Sequence, residues 1–267
     1  MDTESLPWWQ TLTSREIAAR AGRGAVAILP LSAIEQHGPH LPLETDHRIG
    51  LGLLGAAHAR LGEEPARLIL PPMCVATSNE HTGFPGTLTL RPETALDTLR
   101  DLGHSVASSG FRRLLLVNSH GGNTAICDLA ALELRQQQGL LVAKHHYFLQ
   151  PLPDDLGIPA REQRHGLHGG QIETAMMLAL APDRVHLDAA ANTASLGETL
   201  ADTLEHLEPE GRVAFAWMAR DLNPAGVVGN AGAATEKLGR ALVAHYAESL
   251  AAAIRDTAGF DLGQLAP

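Results

Sequence analysis

The sequence has little of what marks a secreted or membrane-spanning protein. Its 267 residues include two cysteines, Cys74 and Cys127, which are too few for a disulfide framework and favour a reducing compartment. No apolar run is long enough to cross a bilayer, and residues 1–4 carry two acidic side chains where a signal peptide would be basic. We therefore expect a cytoplasmic protein with no membrane partner.

Basic residues are also scarce. Lysine and arginine number 20 against 30 aspartates and glutamates, so the formal net charge is −10 at pH 7. Because no Lys/Arg-rich run offsets this charge locally, phosphate backbones would be repelled and nucleic acid is not an expected partner. Hydrophobic residues make up 45% and charged residues 19%, as in folded globular chains, and we expect a single domain over residues 1–267.

Short apolar runs alternate with helical segments along the chain. The predicted strands cover residues 25–29, 68–70, 114–117, 140–143 and 212–217. The predicted helices cover residues 13–22, 49–61, 92–109, 124–138, 171–180 and 234–255. Residues 148–165 contain three prolines and are expected to form a long functional loop. The alternation predicts an α/β fold with a mostly parallel sheet and helices on both of its faces.

One glycine pattern imitates a cofactor motif. Gly50, Gly52 and Gly55 match the dinucleotide-binding fingerprint letter for letter. That fingerprint needs a buried strand directly before the first glycine, and the polar residues 44–48 cannot form one. We expect these glycines to allow close helix packing instead.

Histidine, by contrast, is abundant, and several of the fourteen lie beside carboxylates. Glu35, His37 and Asp46 follow the strand predicted at 25–29, at the sheet edge where open α/β folds place their sites. Imidazole and carboxylate together suit zinc, manganese or iron(II). For this segment taken alone, the alternative interpretation is a solvated, charged loop.

Three further segments carry polar side chains in similar places. His120 follows the strand predicted at 114–117 and lies between an asparagine and two glycines. The alternative interpretation of this segment is a glycine turn that carries a surface histidine. His168 and Glu173 open the helix predicted at 171–180, where a carboxylate is also favoured by the helix dipole. Residues 78–87 follow another strand and could form the wall of a pocket.

Five motifs, taken in order, resemble the creatininase family. They extend from about residue 26 to 240, so the resemblance covers most of the chain, and the combination is far more specific than any one motif. The motifs are Glu35-x-His37-Gly-Pro-His-Leu-Pro with Asp46, Phe84-Pro-Gly-Thr, Asn118-x-His120-Gly-Gly-Asn, His168-Gly-Gly-x-x-Glu173-Thr and Gly226-Val-Val-Gly-Asn230.

The resemblance implies a three-layer α/β/α sandwich, assembly into a homo-oligomer such as a hexamer, and two divalent metal ions per chain. Creatinine amidohydrolase has a tyrosine and a metal-binding glutamate at the positions of Gly121 and Gly122, so Glu173 becomes the fifth ligand in a Gly-Gly-Asn branch of the family. His168 matches the histidine assigned as the proton shuttle, and His168 and Glu173 are the expected catalytic residues. The implied metal ligands are Glu35, His37, Asp46 as the bridge between the ions, His120 and Glu173.

The resemblance leaves the substrate open. Creatinine amidohydrolase has a Trp-Asp pair just before the shuttle histidine, whereas this chain has Arg164-His165, which argues against creatinine. Arg164 suits an anionic substrate, or else is a surface residue. The expected substrate contacts are Ser78, Glu80, His81, Gly121, Arg164 and His165. The expected reaction is hydrolysis of a non-peptide C–N bond in a small cyclic amide or formamide. The alternatives are a peptidase that trims the C-terminus of a mycofactocin precursor peptide, and a non-catalytic metal-binding relative.

Overall fold

A four-stranded parallel sheet forms the centre of the molecule. The computed structural model describes residues 5–266, apart from the side chain of Asp154, so the acidic start at residues 1–4 lies outside the described residues. The strand order is β2-β1-β3-β4, and every neighbouring pair is parallel. The strands are β1 (Val26–Leu31), β2 (Arg67–Ile69), β3 (Arg113–Asn118) and β4 (Leu141–His146).

Nine helices are present in the described part of the chain. They are α1 (Ser14–Gly22), α2 (Thr45–Leu61), α3 (Pro92–Ser108), α4 (Thr124–Gln138), α5 (Ala160–His165), α6 (Gln171–Leu180), α7 (Leu196–Ala201), α8 (Ala219–Leu222) and α9 (Glu236–Gly259). Among residues 5–266, no helix combines the length and the apolar character needed to cross a membrane.

The helices cover both faces of the sheet. Val26 and Ile28 of β1 are buried in one core with α2, α6 and α9, whereas Ala27 and Leu29 are buried in a second core with α1, α3 and α4. Successive side chains of a strand point to opposite faces, so one buried strand supplies both cores. The expected three-layer α/β/α sandwich with a mostly parallel sheet is therefore confirmed.

Several predicted elements differ from those in the structure. The strand predicted at 212–217 is wrong: only Val213–Ala214 (β7) is extended, and it pairs with Leu207–Glu208 (β6) away from the central sheet. A second small pair joins Asn192–Thr193 (β5) to Gly229–Asn230 (β8). Residues 148–165 are not an open loop throughout, because they contain α5. Helix α2 begins four residues earlier than predicted, at Thr45.

The glycines that imitate a cofactor motif lie inside α2, as the sequence predicts. A Cβ atom on Gly50 would lie only 2.6 Å from Oγ of Ser119, in the segment after β3. The absence of a side chain lets α2 approach this segment, and the Ser119 hydroxyl donates a hydrogen bond of 2.9 Å to the carbonyl of Asp46. The first turn of α2 is thereby fixed against the carboxyl end of β3.

Candidate metal centre

Ligand-type side chains from four parts of the chain meet at the carboxyl ends of β1 and β3. Glu35 and His37 follow β1, and His120 follows β3. Asp46 lies in the first turn of α2, and Glu173 lies in the first turn of α6. The exposed fraction is at most 5% for the first four, and it is 15% for the side chain of Glu173. The fold thus brings together all five residues expected as ligands.

One set of these side chains, the His37 group, consists of His37, Asp46 and Glu173. Their ligand-type atoms lie within 4.8 Å of one another. Nε2 of His37 is 3.5 Å from Oδ1 of Asp46 and 3.9 Å from Oε2 of Glu173. Nδ1 of His37 donates a hydrogen bond of 3.1 Å to the carbonyl of Glu35, so Nε2 is the ring nitrogen that faces the two carboxylates.

A second set, the Glu35 group, consists of Glu35, Glu80 and His120, and also fits within 4.8 Å. Nε2 of His120 is 3.3 Å from Oε2 of Glu35 and 3.2 Å from Oε1 of Glu80. The other ring nitrogen, Nδ1, is 3.3 Å from Oδ2 of Asp46. Asp46 therefore contacts a histidine of each group, one with each carboxylate oxygen. A third combination, Glu35 with His37 and His168, overlaps both groups.

Three polar atoms at the centre of this cluster are buried without a hydrogen-bond partner. They are Oε1 of Glu35, Nε2 of His37 and Oδ2 of Asp46, and the described residues contain just one other such side-chain atom. A buried polar atom without a partner costs about 1–3 kcal/mol, so three of them side by side require an explanation. All three are nitrogen or oxygen ligands of the kind that divalent zinc, manganese or iron accepts, and the donor set fits such ions.

The electrostatics of the cluster are set by burial and by the close approach of acidic and basic side chains. Burial raises the pKa of Glu35 to about 8, although the neighbouring His120 opposes this. Burial also acts against the charge on His37, but the carboxylates of Asp46, Glu173 and Glu35 together outweigh it and raise that pKa to about 9. Asp46 itself keeps its pKa below the usual range despite burial, because His37 and His120 face it. Without a metal ion, protons are drawn onto the ligands.

His168 is the neutral base of the cluster. Burial, followed by the proximity of His37 and His81, holds its pKa well below the usual value. Its Nε2 donates a hydrogen bond of 2.7 Å to the carbonyl of Gln36, which leaves Nδ1 as the basic nitrogen. Nδ1 lies 3.6 Å from Oε1 of Glu35 and so faces the interior of the site.

A family model described as creatininase (creatinine amidohydrolase) matches residues 10–254. The chain belongs to the creatininase family. The chain is 33% identical over 195 residues to a mycofactocin precursor peptide peptidase of Mycolicibacterium smegmatis. The aligned region covers 71% of each of the two chains. It is 34% identical over 197 residues to a creatinine amidohydrolase of Pseudomonas putida, covering 66% of this chain and 73% of the relative.

Solved creatininase structures share this fold. A mutant creatininase of type II superposes with a TM-score of 0.77 at 26% identity, and the match covers 96% of this chain and 100% of the other. Related structures include a creatininase variant described as a zinc–zinc type and a creatininase described as a manganese form. The creatininase-like arrangement of the sheet and its helices is therefore shown, and the family is one of hydrolases.

Three residues that the sequence predicts as substrate contacts lie beside the cluster of ligand-type side chains. Ser78 donates a hydrogen bond of 2.6 Å to Oε2 of Glu35, and Nε2 of His81 is 3.4 Å from Oε1 of the same carboxylate. Gly121 is exposed, and nothing lies within 4 Å of the position where its Cβ would be. Gly121, which follows His120 in the chain, therefore lies at the surface of the molecule. Glu80, another predicted contact, belongs to the Glu35 group.

The other two predicted contacts lie in neither ligand group. The Arg164 guanidinium is exposed and donates hydrogen bonds of 3.0 and 2.9 Å to Oε2 of Glu208. His165 is buried, and its Nδ1 would be 3.1 Å from a Cβ atom on Gly197 in α7. The structure thus shows Arg164 as a surface residue that forms an ion pair with Glu208.

Two residues of the cluster were missed from the sequence. The hydroxyl of Tyr147 donates a hydrogen bond of 3.4 Å to Oε1 of Glu173. The side-chain amide of Gln36 contacts Nδ1 of His81 at 2.9 Å and donates to the carbonyl of Gly226 at 2.5 Å. Tyr147 directly follows β4, so the rule that sites lie at the carboxyl ends of parallel strands would have identified it.

Proposed function

We propose that this chain is an amidohydrolase that uses two divalent metal ions to cleave an amide-type C–N bond in a small cyclic amide or formamide. The observation that carries the proposal is the pair of ligand groups that meet at Asp46, with three unpartnered buried atoms between them. Hydrolysis by a paired metal site is the activity that this arrangement supports best.

The residues divide between the two ions as follows. His37 and Glu173 would hold one ion, Glu35 and His120 would hold the other, and Asp46 would bridge them through its two oxygens. When bound, two divalent ions polarise the scissile carbonyl and lower the pKa of a coordinated water from about 16 towards about 7. Zinc, manganese and iron(II) all fit these ligands, and the zinc and manganese forms of related creatininases support the first two.

Glu173 is oriented by two neighbours. The backbone amide of Gly169 donates a hydrogen bond of 2.7 Å to Oε2 of Glu173, and the Tyr147 hydroxyl contacts Oε1. These contacts aim the carboxylate at Nε2 of His37. A ligand held in this way needs little reorganisation when substrate binds. Its place on the first turn of α6 also puts it beside His168, which precedes the same helix.

His168 would transfer the proton of the reaction. Its neutral Nδ1 can accept a proton from the attacking water as the water oxygen bonds to the carbonyl carbon. The same nitrogen then donates that proton to the leaving nitrogen as the C–N bond breaks, so His168 ends the cycle neutral. The hydrogen bond from Nε2 to the carbonyl of Gln36 keeps the ring in the required orientation throughout.

A second candidate substrate is the C-terminus of a precursor peptide. The observation that favours it is the 33% identity to mycofactocin precursor peptide peptidases, which for the Mycobacterium ulcerans protein extends over 229 residues. The chemistry would be the same, because a peptide bond is also an amide.

Metal content tests the proposal first. Elemental analysis of the purified protein should find about two ions per chain, and Glu173→Ala should retain fewer. Cyclic amides, formamides and peptides would then be incubated with the protein, with Asp46→Asn as the blank, and products identified by mass spectrometry. Cleavage confined to peptides would move the assignment to the second candidate. No stoichiometric metal after reconstitution would contradict both and indicate a non-catalytic relative.

A further inference from the structure

His81 and His168 are buried neighbours whose rings pack against each other beside Glu35. The ring centroids are 4.1 Å apart, and the planes are inclined by 36°. Nε2 of His81 is 3.4 Å from Oε1 of Glu35, and Nδ1 of His168 is 3.6 Å from the same oxygen. Within the described part of the chain, that oxygen has no hydrogen-bond partner. One nitrogen of each ring therefore faces the same point of the site, and the position of each ring proton decides what that point offers to a ligand.

The side-chain amide of Gln36 can take only one orientation. Its Oε1 accepts a hydrogen bond of 3.0 Å from the backbone amide of Gly38, and its Nε2 donates one of 2.5 Å to the carbonyl of Gly226. A reversed amide would place oxygen against the Gly226 carbonyl and nitrogen against the Gly38 N–H, so neither bond could form. Because an amide nitrogen carries two hydrogens, a second N–H of Gln36 is left for another acceptor.

That second N–H sets the tautomer of His81. Nδ1 of His81 is 2.9 Å from Nε2 of Gln36, and the ring nitrogen has to accept because the amide nitrogen can only donate. The proton of the neutral ring is therefore on Nε2, the nitrogen that faces Glu35. The Gln36 amide nitrogen is also 3.2 Å from Nε2 of His168, but both of its hydrogens are already used.

The two histidines thus present opposite groups to the site. In His168, Nε2 donates its hydrogen bond to the backbone carbonyl of Gln36, so the proton-free Nδ1 faces Glu35. In His81, the side chain of Gln36 occupies Nδ1, so the N–H of Nε2 faces Glu35. One residue, through its main chain and its side chain, gives the site a base and a hydrogen-bond donor next to each other.

The turn that carries His81 is held by the segment after β3. The Thr77 hydroxyl donates hydrogen bonds of 2.8 Å to the carbonyl of Gly122 and to Oδ1 of Asn123. Gly122 approaches this turn so closely that a Cβ atom there would lie 2.4 Å from Oε1 of Glu80, so residues 80 and 122 share one space. The backbone position of His81 is therefore fixed by the fold.

A base and a donor beside one point suit the hydrolysis of an amide. As the oxygen of water bonds to the carbonyl carbon, negative charge develops on the carbonyl oxygen. An N–H that is already aimed at this oxygen stabilises the transition state, because no group has to reorient during the reaction. A neutral imidazole can serve in this way without giving up its proton.

We propose that Nε2 of His81 donates a hydrogen bond to the substrate oxygen that gains negative charge, and that Gln36 is the positioning residue that sets this tautomer. The inference rests on the proposed function, since it assumes that an amide is cleaved at this site. It goes beyond the expectation that His81 contacts substrate, because it assigns the donating atom and the residue that keeps the proton there.

Nitrogen-15 NMR of the histidine rings tests the tautomer in the zinc-loaded, full-length protein without a substrate. In wild type, His81 should have a protonated Nε2 and a proton-free Nδ1, assigned by the signals that disappear in His81→Gln. Gln36→Met keeps the length of the side chain but removes the donor, so His81 should no longer have a single tautomer. Gln137→Met, at an exposed position of α4, is the matched control. Circular dichroism establishes that each variant is folded.

A proton on Nδ1 of His81 in wild type would contradict the inference as a whole. A single, unchanged tautomer in folded Gln36→Met would remove the positioning role of Gln36. Wild type that binds no zinc would overturn the proposed function and this inference with it. Because elemental analysis measures the zinc separately from the ring signals, the two failures are distinguishable.

Acetate tests the donor role, because a small carboxylate resembles the acid that amide hydrolysis releases. In zinc-loaded wild type, acetate should shift the Nε2–H signal of His81. We expect His81→Leu to bind acetate about tenfold or more weakly, as loss of a hydrogen bond to a charged group does, and His81→Gln, which keeps an N–H, to recover part of this affinity. The zinc content of both variants should equal that of wild type. His104→Leu, at an exposed position of α3, is the control.

The same variants separate a donor from a merely structural residue once an amide substrate is in hand. His81→Leu should then lose about 100- to 1,000-fold in kcat, the usual cost of removing one such donor, and His81→Gln should lose less. A His81 signal that does not respond to acetate, or equal acetate affinity in wild type and His81→Leu, would overturn the donor role and leave the proposed function standing.

Discussion

At the scale of single residues, Asp46 is the side chain on which the site depends most. It contacts His37 with one oxygen and His120 with the other, so its loss removes a ligand from both groups. We expect Asp46→Ala to bind well below two ions and to lose at least about a thousandfold in kcat/KM, as residues that act as a unit do. Elemental analysis and kinetics check this. An unchanged metal stoichiometry would contradict the bridging role.

His168 should behave differently, because its proposed role is to transfer the proton and not to bind metal. We expect His168→Ala to retain both ions and to lose about 100- to 10,000-fold in kcat, the usual contribution of a general acid–base group. His104→Ala, which alters an exposed histidine of α3, is the control. Full activity in His168→Ala would remove its role as the shuttle.

The raised pKa values of two ligands predict how metal affinity depends on pH. In the metal-free protein, burial raises the pKa of Glu35 to about 8 and the neighbouring carboxylates raise that of His37 to about 9. Below these values an ion must displace the protons, so affinity should rise with pH, by up to about tenfold per pH unit for each proton released, and level off above about pH 9. Calorimetry in two buffers of different ionisation enthalpy counts the protons. An affinity that does not change between pH 6 and 9 would contradict this.

The residues around the ions could be predicted from the sequence only in part. Glu35, His37 and His120 follow predicted strands, so their type and position were enough to select them. The relation of Glu80 to Gly122 was not predictable, because nothing in either segment indicates that residues 77–80 pack against residues 121–123. That contact depends on hydrogen bonds between the two turns, which exist only in the folded chain.

At the scale of elements, the start of α6 depends on a buried carboxylate in α5. Glu162 accepts hydrogen bonds of 2.7 Å from the amide of Gln171 and 2.8 Å from the amide of Asn230. The glycines around it leave no room for another side chain: a Cβ on Gly170 or Gly229 would lie 2.6 Å from Oε1 of Glu162. One side chain therefore fixes α5, α6 and β8 relative to one another.

We expect Glu162→Gln to lower the free energy of unfolding by about 1–3 kcal/mol, because one amide nitrogen would then face backbone donors. It should also weaken metal binding, since α6 carries Glu173. Urea denaturation in the presence of a chelator isolates the first effect, and Glu93→Gln, at an exposed position of α3, is the control. Equal stability of the Glu162 variant and wild type would show that the carboxylate is dispensable.

Elements with strong local signals agree with their predictions, and the rest do not. Helices α4 and α6 have the predicted bounds, and α1, which a capping box of Thr13 and Glu16 opens, lies within the helix predicted at 13–22. The segment at 212–217 has the apolar pattern of a strand, yet Val213 is 49% exposed and pairs outside the central sheet. Periodicity reports which residues can form a strand, but it does not report whether a sheet edge is available.

At the scale of the whole molecule, the proposed metal site joins parts of the chain that lie far apart in sequence. Glu35 and Glu173, at the two ends of the ligand set, come from the segment after β1 and from α6. Ions that bind the folded chain and not the unfolded one add stability, about 2.7 kcal/mol when their concentration is 100 times Kd. In the metal-free protein, the unpartnered buried atoms instead lower the free energy of unfolding.

A chelator should therefore lower the melting temperature, and adding zinc or manganese back should restore it. Differential scanning fluorimetry of wild type before and after chelation measures the shift. Asp46→Asn should show little or no shift under the same conditions, because it lacks the bridge. A wild-type melting temperature that is the same with and without metal would contradict a structural contribution of the ions.

The shared space of Gly122 and Glu80 also limits which residues position 122 accepts. A Cβ atom there would lie 2.4 Å from Oε1 of Glu80 and 2.7 Å from the Thr77 carbonyl. The Glu80 side chain can rotate away, but the Thr77 carbonyl belongs to the backbone. Any side chain at position 122 therefore requires the turn after β2 to move, so a variant library of the site has to vary both turns together.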